Sequence, residues 1–332
     1  MGHQPLTSLS ALASIIAILL LVPVPTAGQS ATTLEKTRDW TPPQTPWGEP
    51  NLQGIWSFAT ITPLERPREF ADREVLTDDE VTELNQEAQT LYDNRKGLTP
   101  EADVRRAYNQ FWWDRGKSTG RTSLIVDPSN ARVPPLTPEA QKRLDATRAV
   151  RQRPAHGPED RSLAERCIQY RPLPRLPTGY NNNYQIFQTP GYIAILVEMI
   201  HHVRIIPLDN RPHIGQSIPL WNGDSRGHWE GNTLVVDTTN FSDKTNFRGS
   251  GTNLRLVERF TRVNAKTIDY QFTVEDPTTW ARPWTAVLPF TKIAGPIYEY
   301  ACHEGNYGMF NLLAGARAQE TAAEEAAETK SR

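Results

Sequence analysis

The sequence predicts a mainly β protein whose strands form one antiparallel meander, closed into a barrel or, alternatively, folded into a sandwich. From about residue 180, seven or more short strand-like segments follow one another with short turns between them. Residues 266–275 (KTIDYQFTVE) alternate apolar and polar side chains, which is typical of a strand with one buried face. Most of the 27 prolines lie outside this region. These three observations favour a β-sheet over a helical bundle or an α/β fold.

The N-terminus predicts export. Residues 11–22 (ALASIIAILLLV) form a short apolar run that is followed by prolines and small residues, the pattern of a signal peptide over residues 1–28. No Lys or Arg precedes Lys36, which is unusual for such a peptide, and an uncleaved anchor is the alternative. We therefore expect a secreted or periplasmic protein that is not attached to a membrane after cleavage.

Residues 29–179 are predicted to form a proline-rich arm with short strands and two helices, packed on the barrel. Thr77 and Glu80 have the spacing of a capping box, which indicates a helix start. Thr137 precedes Pro138, and proline is favoured at the first position of a helix. Short strands are expected near residues 51–58 and 122–127.

Residues 180–313 are predicted to be the β domain, and residues 314–332 a disordered tail. Asn264 and Ala265 would join two strands in a hairpin, and Ala294 and Gly295 another. The tail is rich in Ala and Glu and lacks an apolar stripe, so it has no face to bury. The expected strands are residues 184–188, 192–200, 203–208, 233–239, 254–263, 266–275, 284–290 and 296–302.

The two cysteines are predicted to form a disulfide. Cys167 and Cys302 would close a loop of more than a hundred residues in an oxidising compartment, a constraint of on the order of 4 kcal/mol. The alternative is a free, nucleophilic Cys302 beside His303. Neighbouring residues on a strand point to opposite faces, so these two side chains would form a poor dyad.

Six motifs stand out: residues 181–184 (NNNY), 204–209 (RIIPLD), 223–226 (GDSR), 229–231 (WEG), 276–277 (DP) and 301–306 (ACHEGN). Together they resemble a bacterial family of exported proteins of unassigned function, and the match extends over most of the chain after residue 40. The family resemblance implies export but no particular reaction. Gly54, Ile55 and Trp56 resemble the Gly-x-Trp of the first strand in lipocalins, which implies a lipocalin-like, or calycin-like, barrel.

Charge and motifs narrow the function classes. The formal net charge of -2 gives no field that would attract nucleic acid. The sequence contains no HExxH and no glycine-rich nucleotide-binding fingerprint. Residues 223–227 (GDSRG) have the Gly-x-Ser-x-Gly spacing, but no helix pattern follows Ser225, as a nucleophile elbow would require. A small-molecule ligand is therefore the expected partner, and no cofactor is predicted. The oligomeric state is left open.

Polar residues at the ends of the predicted strands suggest acid–base chemistry. A His or Glu inside a pocket, with a nearby Arg to hold an anion, can run lyase, hydratase or isomerase reactions without a cofactor. Whether the protein is an enzyme stays open at this point. The candidate catalytic residues are His303, Glu304, His202, Arg204 and Glu198.

The aromatic residues suggest a cavity for a small apolar or aromatic molecule. Trp221, Trp229, Trp280 and Trp284, with Tyr180 and Tyr184, are the side chains that could line it. One alternative is a ligand carrier or structural protein without turnover. A second is a metal-dependent enzyme in which His and Glu side chains bind zinc or iron. The candidate ligand-binding residues are Tyr184, Asn183, Arg226, Trp229, Trp280 and Asn306.

Overall fold

The computed structural model describes residues 40–90, 99, 113–245 and 247–331. The predicted signal peptide, residues 1–28, lies outside these ranges, as does part of the predicted arm. Within them, none of the helices has the length and apolar character needed to cross a membrane.

The described residues contain ten strands and three α-helices, together with short 3₁₀ helices at Arg68–Phe70, Pro158–Asp160 and Met199–His201. The strands are β1 Gly54–Ser57, β2 Ile125–Asp127, β3 Asn183–Thr189, β4 Tyr192–Val197, β5 Val203–Pro207, β6 Asp224–Glu230, β7 Thr233–Thr239, β8 Arg255–Asn264, β9 Thr267–Glu275 and β10 Trp284–Lys292. The helices are α1 Asp78–Thr90, α2 Pro138–Gln152 and α3 Tyr307–Ser331.

The strands form one antiparallel sheet in the order β5-β4-β3-β1-β10-β9-β8-β7-β6. Its two edge strands meet through side chains: Arg204 Nη2 on β5 lies 3.1 Å from Ser225 Oγ on β6. A Cβ at Gly227 on β6 would lie 2.9 Å from Ile206 Cγ2, so glycine allows the two edges to approach each other. The prediction of a mainly β, barrel-like meander is therefore confirmed, with a sheet that is nearly closed.

Aromatic side chains fill the interior of the barrel. The ring of Phe290 lies 4.7 Å from Tyr270, 5.5 Å from Tyr184 and 5.8 Å from Phe58, measured between centroids. Period-two burial places these rings inside because every second residue of a strand faces the same way. The lumen is thus a packed core, as in other small barrels whose side chains occupy the interior.

The arm takes part in the sheet, which differs from its predicted role as a segment packed on the outside. β1 lies between β3 and β10, and β2 pairs with β10 as well. β1 covers only one end of the β10 edge, through Trp56 and Ser57, whereas β2 covers the other end near Thr285. Two short strands from the arm thus share one long edge, and residue 180 is not a structural boundary.

The two helices expected in the arm are present. Before α1, the Thr77 amide donates to Glu80 Oε2 (2.8 Å) and the Glu80 amide donates to Thr77 Oγ1 (3.3 Å), which completes the capping box. Thr137 caps α2 by accepting from the Ala140 amide at 3.1 Å, with Pro138 in the first turn.

The C-terminal part corrects two expectations. Residues 296–302 are not a strand, because β9 occupies one edge of β10 and the two arm strands occupy the other. The tail expected to be disordered is the helix α3. Its Ala and Glu residues favour helix, and Arg317 fastens it by donating to the backbone oxygens of Ala155 (2.7 Å) and His156 (3.0 Å).

Candidate functional site

Arg204 points into the barrel and forms a buried ion pair. Its Nη1 and Nη2 atoms donate to the two carboxylate oxygens of Glu258 at 3.0 and 2.6 Å, and Nη2 also reaches Thr238 Oγ1 at 3.3 Å. Tyr270 donates its hydroxyl to the same carboxylate at 2.8 Å. Arg204 therefore ties an edge strand to β8 and is not available as an anion clamp.

The electrostatics of this pair follow from burial and charge together. Burial alone would lower the pKa of Arg204, but the charge of Glu258 and its hydrogen bonds raise it overall. Burial, followed by the same carboxylate charge, raises the pKa of Tyr270 well above its usual range. Both groups keep their protons at neutral pH, so the cluster works as a fixed cross-link inside the barrel.

Glu198 is a buried carboxyl at one end of the barrel, where β4 leads into a short turn. Its Oε2 accepts from Asn183 Nδ2 at 2.7 Å. Burial raises the pKa of Glu198 more than its hydrogen bonds lower it, and the charge of Asp114 adds to the rise. Asn183 thus orients a carboxyl that is easier to protonate than an ordinary Glu.

His202 belongs to a different group of side chains. It hydrogen-bonds Asn222, whose Oδ1 accepts from Gln169 Nε2 at 2.6 Å. Gln169 is buried and also donates to the backbone oxygen of Arg171 at 3.0 Å. The imidazole is therefore linked through an amide to the segment before β3.

Arg226 and the aromatic residues predicted to bind a ligand are engaged in contacts within the protein. On the outside of the barrel, Arg226 Nη1 donates to Asp224 Oδ1 at 2.6 Å and its Nε donates to the Pro212 oxygen at 3.1 Å. Trp280 packs edge-on against Trp284 at 5.9 Å. Tyr184 and Trp280 are buried in the core, and Trp229 packs against it.

The stretch 298–306 forms an anchor. Cys302 and Cys167 form the predicted disulfide, with their Cα atoms 5.7 Å apart. Asn306 accepts from the Met309 amide at 3.2 Å, which caps α3, and its Nδ2 donates to the Glu165 oxygen at 2.9 Å. The stretch therefore holds segment 162–169 against the start of the C-terminal helix.

The candidate catalytic groups do not converge. His303 and Glu304 lie exposed in the turn before α3, whereas Arg204 is inside the barrel and His202 is linked to Asn222. For metals, the residues that the structure describes contain no group of three or more His, Cys, Asp or Glu side chains that could hold an ion. Among the described residues, the fold therefore brings together neither the acid–base candidates nor a set of metal ligands.

A cleft of about 590 Å³ lies outside the lumen, between α2, the segment before β3 and the loop after β7. Trp221 and Tyr170 give it aromatic surface. The Trp221 side chain keeps 38% of its area exposed. The charged side chains that line the cleft are Arg151, Arg161, Arg166, Lys244, Glu159, Asp160 and Asp243.

Three polar atoms of this cleft have no partner among the described residues: Gln169 Oε1, Thr245 Oγ1 and Arg161 Nε. Gln169 is only 2% exposed and Thr245 only 1%. A buried polar atom without a hydrogen bond costs about 1–3 kcal/mol relative to a paired one. The wall of the cleft therefore holds buried polar atoms with unmet hydrogen-bonding capacity close to aromatic surface.

The disulfide braces one wall of the cleft. Ser162 and Glu165 cap each other there: the Ser162 amide donates to Glu165 Oε2 (2.8 Å) and the Glu165 amide donates to Ser162 Oγ (3.3 Å). Burial would raise the pKa of Glu165, but these hydrogen bonds and Arg161 hold it below its usual range. Cys167 follows two residues later and fixes this wall covalently to Cys302.

No protein-family model matches the chain, and no curated protein matches its sequence.

Some residues of these clusters were not predicted from the sequence. Glu258 carried a detectable signal, because it shares strand parity with the buried Leu256 and Phe260 and is acidic on an apolar face. Gln169 and Thr245 carried none, since both lie in irregular segments. Trp221 was among the aromatic residues proposed to line a cavity inside a barrel, but the structure places it at the cleft outside the packed lumen.

Proposed function

We propose that the protein is an exported binding protein, and that the cleft beside Trp221 takes a small aromatic molecule with hydroxyl and carboxylate groups. The observation that carries the proposal is the pair of buried, unpartnered oxygens of Gln169 and Thr245 next to an exposed indole. An aromatic ligand can pack against the indole, and its polar groups can satisfy those atoms. The volume of the cleft is typical of small-molecule sites, which span roughly 300–1,000 Å³.

The atom types suggest which polar groups the ligand carries. Gln169 Oε1 can only accept a hydrogen bond, so it requires a donor such as a hydroxyl group. Arg161 Nε can only donate, and a carboxylate oxygen is its best acceptor. Four cationic and three acidic side chains line the cleft, a balance that favours a monoanion.

The position of the acid–base candidates favours a carrier over an enzyme. His303 and Glu304 lie in the turn before α3 and are not lining residues of the cleft. A ligand held there would meet hydrogen-bonding groups and a disulfide-braced wall but neither of these proposed catalysts. Export, suggested by the N-terminal apolar run and the family resemblance, agrees with a binding role outside the cytoplasm.

Calorimetric titration with 4-hydroxybenzoate and related hydroxylated aromatic acids tests the proposal. Benzoate, which lacks the hydroxyl, and cyclohexanecarboxylate, which lacks the aromatic ring, are the comparators. We expect Trp221→Ala to weaken binding at least tenfold. Trp47→Ala is the matched control, because that indole is similarly exposed at 36% and lies outside the cleft. Lack of binding by the whole panel, or equal affinity in the two variants, would contradict the proposal.

A further inference from the structure

Arg175 is a buried cation without a counter-charge in the part of the chain that the structure describes. It lies in the proline-rich segment before β3, between the buried Leu173 and Pro174 on one side and Leu176 on the other. The residue is only 4% exposed, and neither its Nε nor its Nη2 atom hydrogen-bonds any of the described residues. Arg204, by contrast, is buried to the same degree but is neutralised by Glu258. A guanidinium that is buried and unpaired is a costly arrangement.

The groups around Arg175 do not neutralise its positive charge. The charged or titratable groups that act on it are Tyr184 and Arg204, and no carboxylate is among them. Burial raises the pKa of Tyr184 to about 12, so the phenol is neutral at physiological pH and supplies no negative charge. Glu258 neutralises Arg204 alone, so the positive charge of Arg175 stays uncompensated among the described residues.

A small cavity adjoins Arg175. Its volume is about 10 Å³, room for one sphere of roughly the size of a water molecule. Polar residues line it as well, among them Thr178 and Asn181. A carboxylate attached to a larger ligand does not fit such a space, whereas a single-atom anion does.

We propose that Arg175 binds a halide-sized monovalent anion in this cavity, with chloride as the physiological occupant. The anion neutralises the unpaired guanidinium and accepts hydrogen bonds from its free N–H groups, which makes these hydrogen bonds charge-assisted. Its role is to stabilise the packing of the proline-rich segment against the end of the barrel. Arg175 is not one of the residues that line the cleft beside Trp221, although Tyr170 lines both spaces.

Two measurements on the full, oxidised chain test the proposal. In crystals grown in bromide, we expect an anomalous peak within hydrogen-bonding distance of the Arg175 guanidinium. In thermal unfolding, we expect the midpoint to rise with sodium chloride but not with sodium acetate of equal ionic strength. Acetate is the size control, and it removes the general effect of screening.

Arg175→Met should abolish the difference between chloride and acetate, because it removes the charge and keeps a long side chain. Arg68→Met is the matched control, since this arginine is exposed and lies outside the cavity, and it should keep the difference. The proposal is overturned by the absence of bromide at Arg175, or by an undiminished chloride response in Arg175→Met. If Arg175→Met does not fold, the bromide map of the unmodified protein decides.

Discussion

Replacing Glu258 with Gln should destabilise the protein strongly, because it leaves Arg204 charged and unpaired inside the barrel. The carboxylate accepts three hydrogen bonds, two from Arg204 and one from Tyr270, and both members of the ion pair are almost fully buried. Gln keeps the size of the side chain and one oxygen but loses the charge. Removing one partner of such a pair costs about 3–5 kcal/mol.

The assay is urea unfolding at neutral pH, followed by tryptophan fluorescence. We expect the midpoint of Glu258→Gln to fall while the slope with urea stays constant, which indicates a change of stability rather than of compactness. The control is Glu230→Gln. Glu230 pairs with Arg259 at 2.7 Å, but both side chains are exposed and solvent screens the pair, so its midpoint should move much less.

A double variant separates charge from packing. Arg204→Met with Glu258→Leu replaces the pair by apolar side chains, and we expect it to be considerably more stable than Glu258→Gln alone. If Glu258→Gln and Glu230→Gln shift the midpoint equally, the pair is not desolvated, and the interpretation of Arg204 as a buried cross-link is refuted.

Three further predictions concern the disulfide, the barrel end and the seam. In urea unfolding, the double variant Cys167→Ser/Cys302→Ser should lose up to about 4–5 kcal/mol of unfolding free energy, because the bridge spans 135 residues. It should also bind ligands in the cleft more weakly. If neither stability nor binding changes, the disulfide does not brace the cleft. Because burial raises the pKa of Glu198, the folded state holds this proton more tightly than the unfolded chain, so stability falls as pH rises from about 4.3 through the higher folded pKa. Glu198→Gln should therefore melt above the wild type at pH 7 and close to it at pH 4 by calorimetry, and equal differences at the two pH values would argue against this titration. Gly227→Ala should cost about 1–3 kcal/mol by urea unfolding, because its Cβ would lie 2.7 Å from Leu208 Cδ2 where the edge strands β5 and β6 meet. The control Gly251→Ala, with open space around it, should be nearly neutral. Equal losses in the two variants would argue against close contact at this seam between β5 and β6.

Strand identity was accessible from the sequence wherever burial alternates along the chain. β8 and β9 were predicted with their connecting turn, because the pattern of apolar and polar side chains is a local property. The partner of β10 was predicted wrongly. Its edge pairs with β1 and β2, which lie more than 150 residues earlier in the chain, and such pairing has no local signature.

The candidate site depended even more on tertiary structure. The Ala/Glu-rich tail lacked an apolar stripe, yet helix propensity and the contacts of Arg317 place it in α3. His303 and Glu304 carry suggestive chemistry in the sequence, but their exposure in a turn is decided by the chain around them. Gln169 Oε1 and Thr245 Oγ1 became candidate groups only because folding buries both atoms without a partner among the described residues.

By itself, the sequence determined the antiparallel β class, the starts of α1 and α2 and the disulfide between Cys167 and Cys302. Each depends on short-range periodicity, capping chemistry or a simple count of thiols. Tertiary structure alone decided that Arg204 is neutralised by Glu258 while Arg175 is not, and that stretch 298–306 is an anchor for the wall of the cleft. The reason is physical: desolvation and pairing depend on which distant segments pack together, and one strand cannot specify that alone.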